Sequence, residues 1–316
     1  MSPRGLMPML ILLAALALVP AFGSNTSINF LVSALIVALA AQGWNLLGGF
    51  CGQFSFGHAA FFGTGAYVDA VLQARYGVNA WAASAVAIAA GAGVGWLIGF
   101  LSFRAGLRGS YFALITLAFA EVLRISANAA PITGGATGLL LKLDARAANF
   151  QFASRGVFCL IALTCVALVL ALSVWIARGR LGAQFAAVRE NEDAARALGI
   201  DVLATKLRAI SLSAAVTAAA GCLYTQYFLY LDANIAYGSW ISVEALLAVI
   251  VGGISTPAGP IFGALALHAL GEVTRLIARG VTGIDLVLFG LILIAAIAFA
   301  PTGLAGLASR LRRALG

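Results

Sequence analysis

Residues 156 to 177 read GVFCLIALTCVALVLALSVWIA, 22 consecutive positions without a charge. About 20 apolar residues in a helix cross the roughly 30 Å hydrocarbon core of a bilayer. Arg155 and Arg178 bound the run, and the most polar stretch of the chain, 178 to 206, follows it. Comparable runs recur in both directions, near 6 to 22, 28 to 47, 55 to 74, 80 to 101, 109 to 128, 207 to 231, 240 to 258, 260 to 279 and 284 to 300. Composition agrees with that reading. The chain is 62% apolar and 9% charged over 316 residues, against about 45–50% and about 25% for a soluble domain. No water-facing shell is left for a soluble globule. The predicted fold is all-α: one polytopic membrane helix bundle spanning 1 to 316, with about ten transmembrane or partly re-entrant helices.

The third and eighth segments are glycine-rich at their inner ends, where a broken or re-entrant helix is tolerated if protein covers it. The first segment reads as a retained helix or as a signal peptide, since Arg4 precedes its apolar core and Ala21 and Gly23 suit cleavage before Ser24. With ten crossings, twelve of the 19 Lys and Arg residues fall on one side and five on the other, leaving Arg124 and Arg275 within spans. The richer side is the cytoplasm by the positive-inside rule, so both termini are expected there. The net charge of +8 is thereby explained without nucleic acid.

The longest stretches outside the spans, 129 to 155 and 178 to 206, are too short for a catalytic domain. A phosphate-binding P-loop needs Lys between Gly and Ser or Thr, and the only lysines are Lys142 in LLLKL and Lys206 in ATKLR. The four cysteines (Cys51, Cys159, Cys165, Cys222) lie in or beside apolar runs with no metal-type spacing or neighbouring His, and read as small core residues. No metal, cofactor or enzyme chemistry is expected. The 178 to 206 stretch reads instead as an amphipathic helix. Leu181, Phe185, Val188, Ala195 and Leu198 share a face, Glu192 stands four before Arg196 and Arg189 four before Asp193. Gly199 is placed as a left-handed cap with Ile200 folding back on Ala195. Residue chemistry alone leaves three roles open: an interfacial helix, a solvated connector, or a docking helix.

Charges inside a span cost about 2.5–3.5 kcal/mol on insertion scales. Glu121 with Arg124 and Glu272 with Arg275 share an i,i+3 spacing that permits self-neutralising pairs, at the outer interface or lining a polar vestibule. Glu244 opens the eighth span with no nearby cation, so it is either wetted near the interfacial Trp240 or a contact in a translocation path. Asp69 and Asp285 read as wetted outer-end residues. Gln53, Ser55 and His58 precede Gly63 and Gly65 at the start of span three, as in the broken helices that transporters use to hold ions or zwitterions; the competing reading for His58 is a hydrogen-bonded core histidine. His268 reads as core. Gly91, Gly95 and Gly99 recur every fourth residue, a face for close helix packing, within the bundle or against a partner. Gly-Gly pairs at 48–49 and 252–253 both precede glycine-rich spans, a faint sign of duplication.

RENEDAARALGI (189 to 200) resembles the cytoplasmic motif of permease subunits of branched-chain amino acid ABC importers of the LivM type. Agreement continues, in order, through GQFSFGHAAFFGTGAY (52 to 67), GSYFALITLAFAEVLR (109 to 124), TGGATGL (133 to 139) and AVIVGGISTPAGPIFGA (248 to 264). The resemblance covers about residues 28 to 307 and departs at Phe54, Phe56 and Asp69. It implies that 178 to 206 holds a coupling helix, with Arg189, Glu190, Asn191, Glu192, Ala195 and Gly199 meeting a cytoplasmic ATPase. Gln53, Ser55, His58, Glu121 and Glu244, singled out above by their own chemistry, are the translocation-path candidates. The implied partners are a second permease, two cytoplasmic ATPase subunits, a periplasmic substrate-binding protein and the lipid of a bacterial inner membrane. Urea or short amides as cargo, or ion-coupled secondary transport, are the alternatives.

Overall fold

The computed structural model describes residues 3 to 278 and, beyond them, Val287, Gly290, Leu291 and Ile294. Apart from those four positions the expected tenth span, 284 to 300, lies outside the described residues, as do Arg279, Asp285, Arg310, Arg312 and Arg313. Helix α1 (Pro3–Phe22) precedes α2 (Asn25–Trp44), which continues through a π-helical turn at Asn45–Phe50. There follow α3 (His58–Tyr76), α4 (Ala80–Arg104), α5 (Gly109–Ala129), α6 (Arg155–Arg178), α7 (Arg180–Glu190), α8 (Glu192–Ala197), α9 (Val202–Phe228), α10 (Ala233–Ala236), α11 (Ser239–Gly252) and α12 (Gly259–Ala278).

Seven of these stretches are long and apolar enough to cross a membrane: α2 with its π turn, α4, α5, α6, α9, α10 with α11, and α12. Helix α2 is apolar all round and is the hub, buried from Leu31 to Trp44 except at Ser33. That is the expected fate of a helix with no polar face. Helices α6, α9, α11 and α12 pack around it. Helix α6 turns Leu160, Leu168 and Trp175 outward, the surface a lipid-facing helix should have.

Three sequence expectations shift. Span three becomes helical only at His58, because 51 to 57 is an irregular segment tucked into the bundle. Its helix, α3, is more polar than a lone span would be, yet every residue from His58 to Tyr67 is buried by protein, so lipid never tests its composition. The eighth span is a 14-residue helix led in by the single turn of α10. At about 1.5 Å per residue α11 alone reaches only about 21 Å, short of a full crossing. Finally, the chain carries one small ladder. Leu139–Leu140 (β1) pairs antiparallel with Tyr230–Leu231 (β2), Leu139 opposite Leu231, and ties the 130 to 154 loop to the end of α9. Gly138 permits the approach, with φ of 73° and a Cβ position that would overlap the Leu231 carbonyl.

Gly91, Gly95 and Gly99 face α9, where added Cβ atoms would run into Ala218, Ala214 and Ile210. Small residues at i and i+4 on both helices let the backbones close on each other. The glycine stripe is thus used inside the chain, against α9, and not against a partner.

Candidate functional site

The 178 to 206 stretch is two helices, not one. Asn191 leaves the helix with φ −162° and ψ 113°, and its side-chain oxygen accepts from the backbone N–H groups of Asp193 (2.9 Å) and Ala194 (3.0 Å). A helix N-cap of this kind starts α8 afresh. The break replaces the expected i,i+4 pairs. Arg189 turns to Glu190 (2.8 Å) and Arg196 to Asp193 (2.8 Å), while Glu192 leaves its own helix altogether. Gly199, at φ 81°, ends α8, and the Ile200 N–H returns to the Ala195 carbonyl at 3.1 Å, the 6→1 bond of a left-handed C-cap.

Glu192 is the centre of the end of the bundle that carries α7 and α8. Its carboxylate pairs with Lys206 of α9, with Arg108 Nε at 3.2 Å from the α4–α5 turn, and receives Gln53 Nε2 at 3.4 Å from the irregular segment before α3. Lys206 is 3% exposed and lies 5.0 Å from the centre of the Phe103 ring. Arg108 also reaches Asp193 at 3.5 Å, and it is chiefly this guanidinium, helped by Arg196, that holds the Asp193 carboxyl below its ordinary pKa. Arg189 makes a second joint. Its Nη1 donates to the Gly49 carbonyl (3.3 Å) and to Ser255 Oγ (3.0 Å), while Ser255 Oγ donates to the same carbonyl at 2.6 Å. Asn45 locks the two segments together, accepting from Ser255 N–H at 3.0 Å and donating to Thr256 O at 2.9 Å. The two Gly-Gly segments therefore dock on each other, and Arg189 spans the seam. π-helical turns such as 45–50 are frequent at functional sites, and Ser255 adds a strained φ of 62°. Glu190 and Asn191 line, with Arg189 and Asp193, an open cleft of about 340 Å³. Cys51 is fully buried beneath the joint, its thiol pushed up to about 12 by burial.

Three path candidates belong to this inner scaffold. Gln53 is bound to Glu192 and to the Cys51 carbonyl (3.3 Å). The Ser55 carbonyl accepts Trp44 Nε1 at 2.9 Å, and its hydroxyl accepts Gly57 N–H at 3.1 Å. His58 is fully buried, with Nε2 bonded to Ser213 Oγ at 2.9 Å. These residues brace the start of α3 and line neither of the two cavities beside α2; His58 Nδ1 is buried without a hydrogen-bond partner.

Toward the outer end, Glu121 and Arg124 form their pair at 2.5 Å, and Arg124 also donates to Asn234 at 2.6 Å. Glu272 and Arg275 pair at 3.1 Å. Asp69, expected to be wetted, has no exposed surface. Its oxygens accept from Ser84 Oγ (3.0 Å) and Gln226 Nε2 (2.7 Å), because α4 and α9 close over it. Two cavities flank the outer half of α2. One, of about 440 Å³, is lined by Asn29, Gln151, Arg155, Gln226 and Tyr227. The other, of about 780 Å³, lies between α2, α11 and α12 and holds Glu244 beside His268, with Oε1 and Nδ1 3.8 Å apart. His268, read from sequence as a core residue, is thus a wall of that cavity. Among the described residues, no group of three His, Cys, Asp or Glu side chains could hold a metal ion.

A helical bundle of repeated apolar crossings with one braced polar unit at one end is a multi-pass membrane protein. More particularly, the chain belongs to the family described as branched-chain amino acid transport system, permease component, whose model matches residues 26–297. It is similar to the high-affinity branched-chain amino acid transport system permease protein LivM of Escherichia coli strain K12, 29% identical over 309 residues, and to that of Salmonella typhimurium, 28% identical. Each alignment covers 90% of this chain and 71% of the relative. A solved structure described as an inward-facing ABC transporter of metal-chelate type covers 95% of this chain and 98% of its own, with 16% identity and a TM-score of 0.48.

Proposed function

We propose that the chain is one membrane-spanning half of an ATP-driven importer for branched-chain or related amino acids. A second permease, two cytoplasmic ATPase subunits and a periplasmic binding protein complete the machine, and both termini of this chain face the cytoplasm of a bacterial inner membrane. The observation that carries the reading is the bracing of α7 and α8. Arg189 grips the seam between the α2 extension and the α11–α12 turn, and Glu192 grips α9 and the α4–α5 turn. An ATPase seated on Glu190, Asn191 and the exposed face of α8 would therefore pull on the inner ends of most spans together. Closure of the nucleotide-bound ATPases carries these two helices with it, and the bundle shifts between inward and outward openings. A contact whose strength differs between the two states is what moves such an equilibrium. Glu121 and Glu244, at the outer half, remain the path candidates.

The test is uptake by the reconstituted complex. Arg189→Ala and Glu192→Gln should each leave the bundle folded and separate ATP hydrolysis from leucine uptake. Cys51 supplies a second readout, since a buried, protonated thiol is a poor nucleophile; its maleimide labelling should rise with nucleotide only if the joint works. Variants that keep full transport and full ATPase attachment would remove α7 and α8 from the coupling role. Leucine accumulation without the ATPases would replace ATP drive by ion coupling, and competition by urea or acetamide alone would move the cargo to short amides.

A further inference from the structure

The cavity between α2, α11 and α12 pairs a carboxylate with no full partner and a wall suited to a small aliphatic molecule. Glu244 is 29% exposed, into a space of about 780 Å³. Among the described residues its ion-pair neighbour within 4 Å is His268 Nδ1 at 3.8 Å, too far for a hydrogen bond, and that nitrogen is buried without a hydrogen-bond partner. By contrast, Glu272 at the rim is already paired with Arg275 at 3.1 Å. From α2, Thr26, Phe30 and Ser33 face the same space, positions four and three apart and hence on one side of the helix. They offer hydroxyl acceptors and an aromatic surface, and Leu267 and Val273 of α12 add aliphatic wall. The chemistry is that of an anionic acceptor supplemented by neutral oxygens, bordered by apolar side chains.

We infer that this cavity is a binding site on the import path for the primary ammonium group of an aliphatic α-amino acid, with Glu244 as its counter-ion. The inference rests on the reading of the chain as an amino-acid permease. An ammonium has three N–H donors and no acceptor, which matches one carboxylate plus the hydroxyls of α2, and the aliphatic side chain finds Phe30 and Leu267. Neutral amides lack the charge to satisfy Glu244. His268, whose ring meets Phe30 of α2 edge-to-face at 6.0 Å, forms the wall of the cavity beside the carboxylate.

The experiment measures binding to the permease complex in nanodiscs without the binding protein, using leucinamide, which keeps the ammonium, and N-acetylleucine, which does not. Leucinamide should bind, Glu244→Gln should weaken it at least tenfold, Glu244→Asp should retain it within a few fold, and N-acetylleucine should bind neither form. Equal binding of both compounds by the wild type, no leucinamide binding, or binding unchanged in Glu244→Gln overturns the site. If Glu244→Gln fails to assemble, the comparison of the two ligands on the wild type decides. ATP-driven leucine uptake is measured alongside. Its absence, with Glu244-dependent leucinamide binding intact, sinks the amino-acid importer and leaves the ammonium site, whereas normal uptake with binding that ignores Glu244 sinks the site alone.

Discussion

The two ends of this bundle each hold a carboxylate between helices, and they treat it in opposite ways. Glu192 is enclosed by Lys206, Arg108 and Gln53, drawn from three separate elements. Glu244 has His268 at 3.8 Å and an open cavity. A charge network with every member satisfied fixes geometry, as a mechanical joint requires, while an unsatisfied group retains free energy for a ligand. Asp69 is a third case: fully enclosed, but by the neutral donors of Ser84 and Gln226. It behaves as a packing element of α3, α4 and α9.

Breaking the closed joint should give the largest effect. Lys206→Met leaves Glu192 with only its weaker partners, and losing one member of a buried pair costs about 3–5 kcal/mol. We expect the lower end, because Arg108 remains, read as a fall in the denaturation midpoint of the solubilised permease. Replacing both charges, Glu192→Gln with Lys206→Met, should recover most of that loss while coupling stays impaired. A double variant as unstable as the single one would mean that the pair is not the source.

Asp69 sharpens the contrast with Glu244. Asp69→Ala strands the Gln226 amide and the Ser84 hydroxyl, at about 1–3 kcal/mol for buried groups left unsatisfied. Asp69→Asn should be nearly neutral, because Gln226 Oε1 has no partner and a rotated amide can accept from the new one. An amide thus suffices at 69, where the role is structural, and fails at 244, where charge is read by the cargo. Asp69→Asn as damaging as Asp69→Ala, in a thermal unfolding series, would make the two sites alike.

Next in size is the break between α7 and α8. Asn191→Ala removes an N-cap worth about 1 kcal/mol and should raise hydrogen exchange across α8 without changing α9. The break was legible in principle, since Asn followed by Glu-Asp-Ala-Ala is a helix start. The periodic apolar residues on either side nonetheless read as continuous, and Asn191 turned the expected i,i+4 pairs into longer-range ones. Local signals carried well: the spans from apolar length, the Gly199 cap from its position, the Glu121–Arg124 and Glu272–Arg275 pairs from their spacing. What could not be read was which distant residues meet. Lys206 and Arg108 looked like topology charges, Asn45 and Ser255 had no local mark, and His268 had no motif, because their partners arrive from other helices.

The smallest effect isolates electrostatics at the surface of the joint. Asp193 is held below its ordinary pKa mainly by Arg108 and then by Arg196, so its folded form releases the proton more readily than its unfolded form. Such a group stabilises fully above its unfolded pKa, about 3.9, and loses that contribution as pH falls through the lower folded value. The difference in thermal midpoint between the wild type and Asp193→Asn should therefore be constant from pH 8 to pH 5 by this linkage and shrink only below about 4. It should also shrink with added salt, since Asp193 is 69% exposed and exposed pairs are screened. A difference that grew on acidification would mean that the carboxylate is not what holds Arg108 against α8, leaving Glu192 alone to close the network.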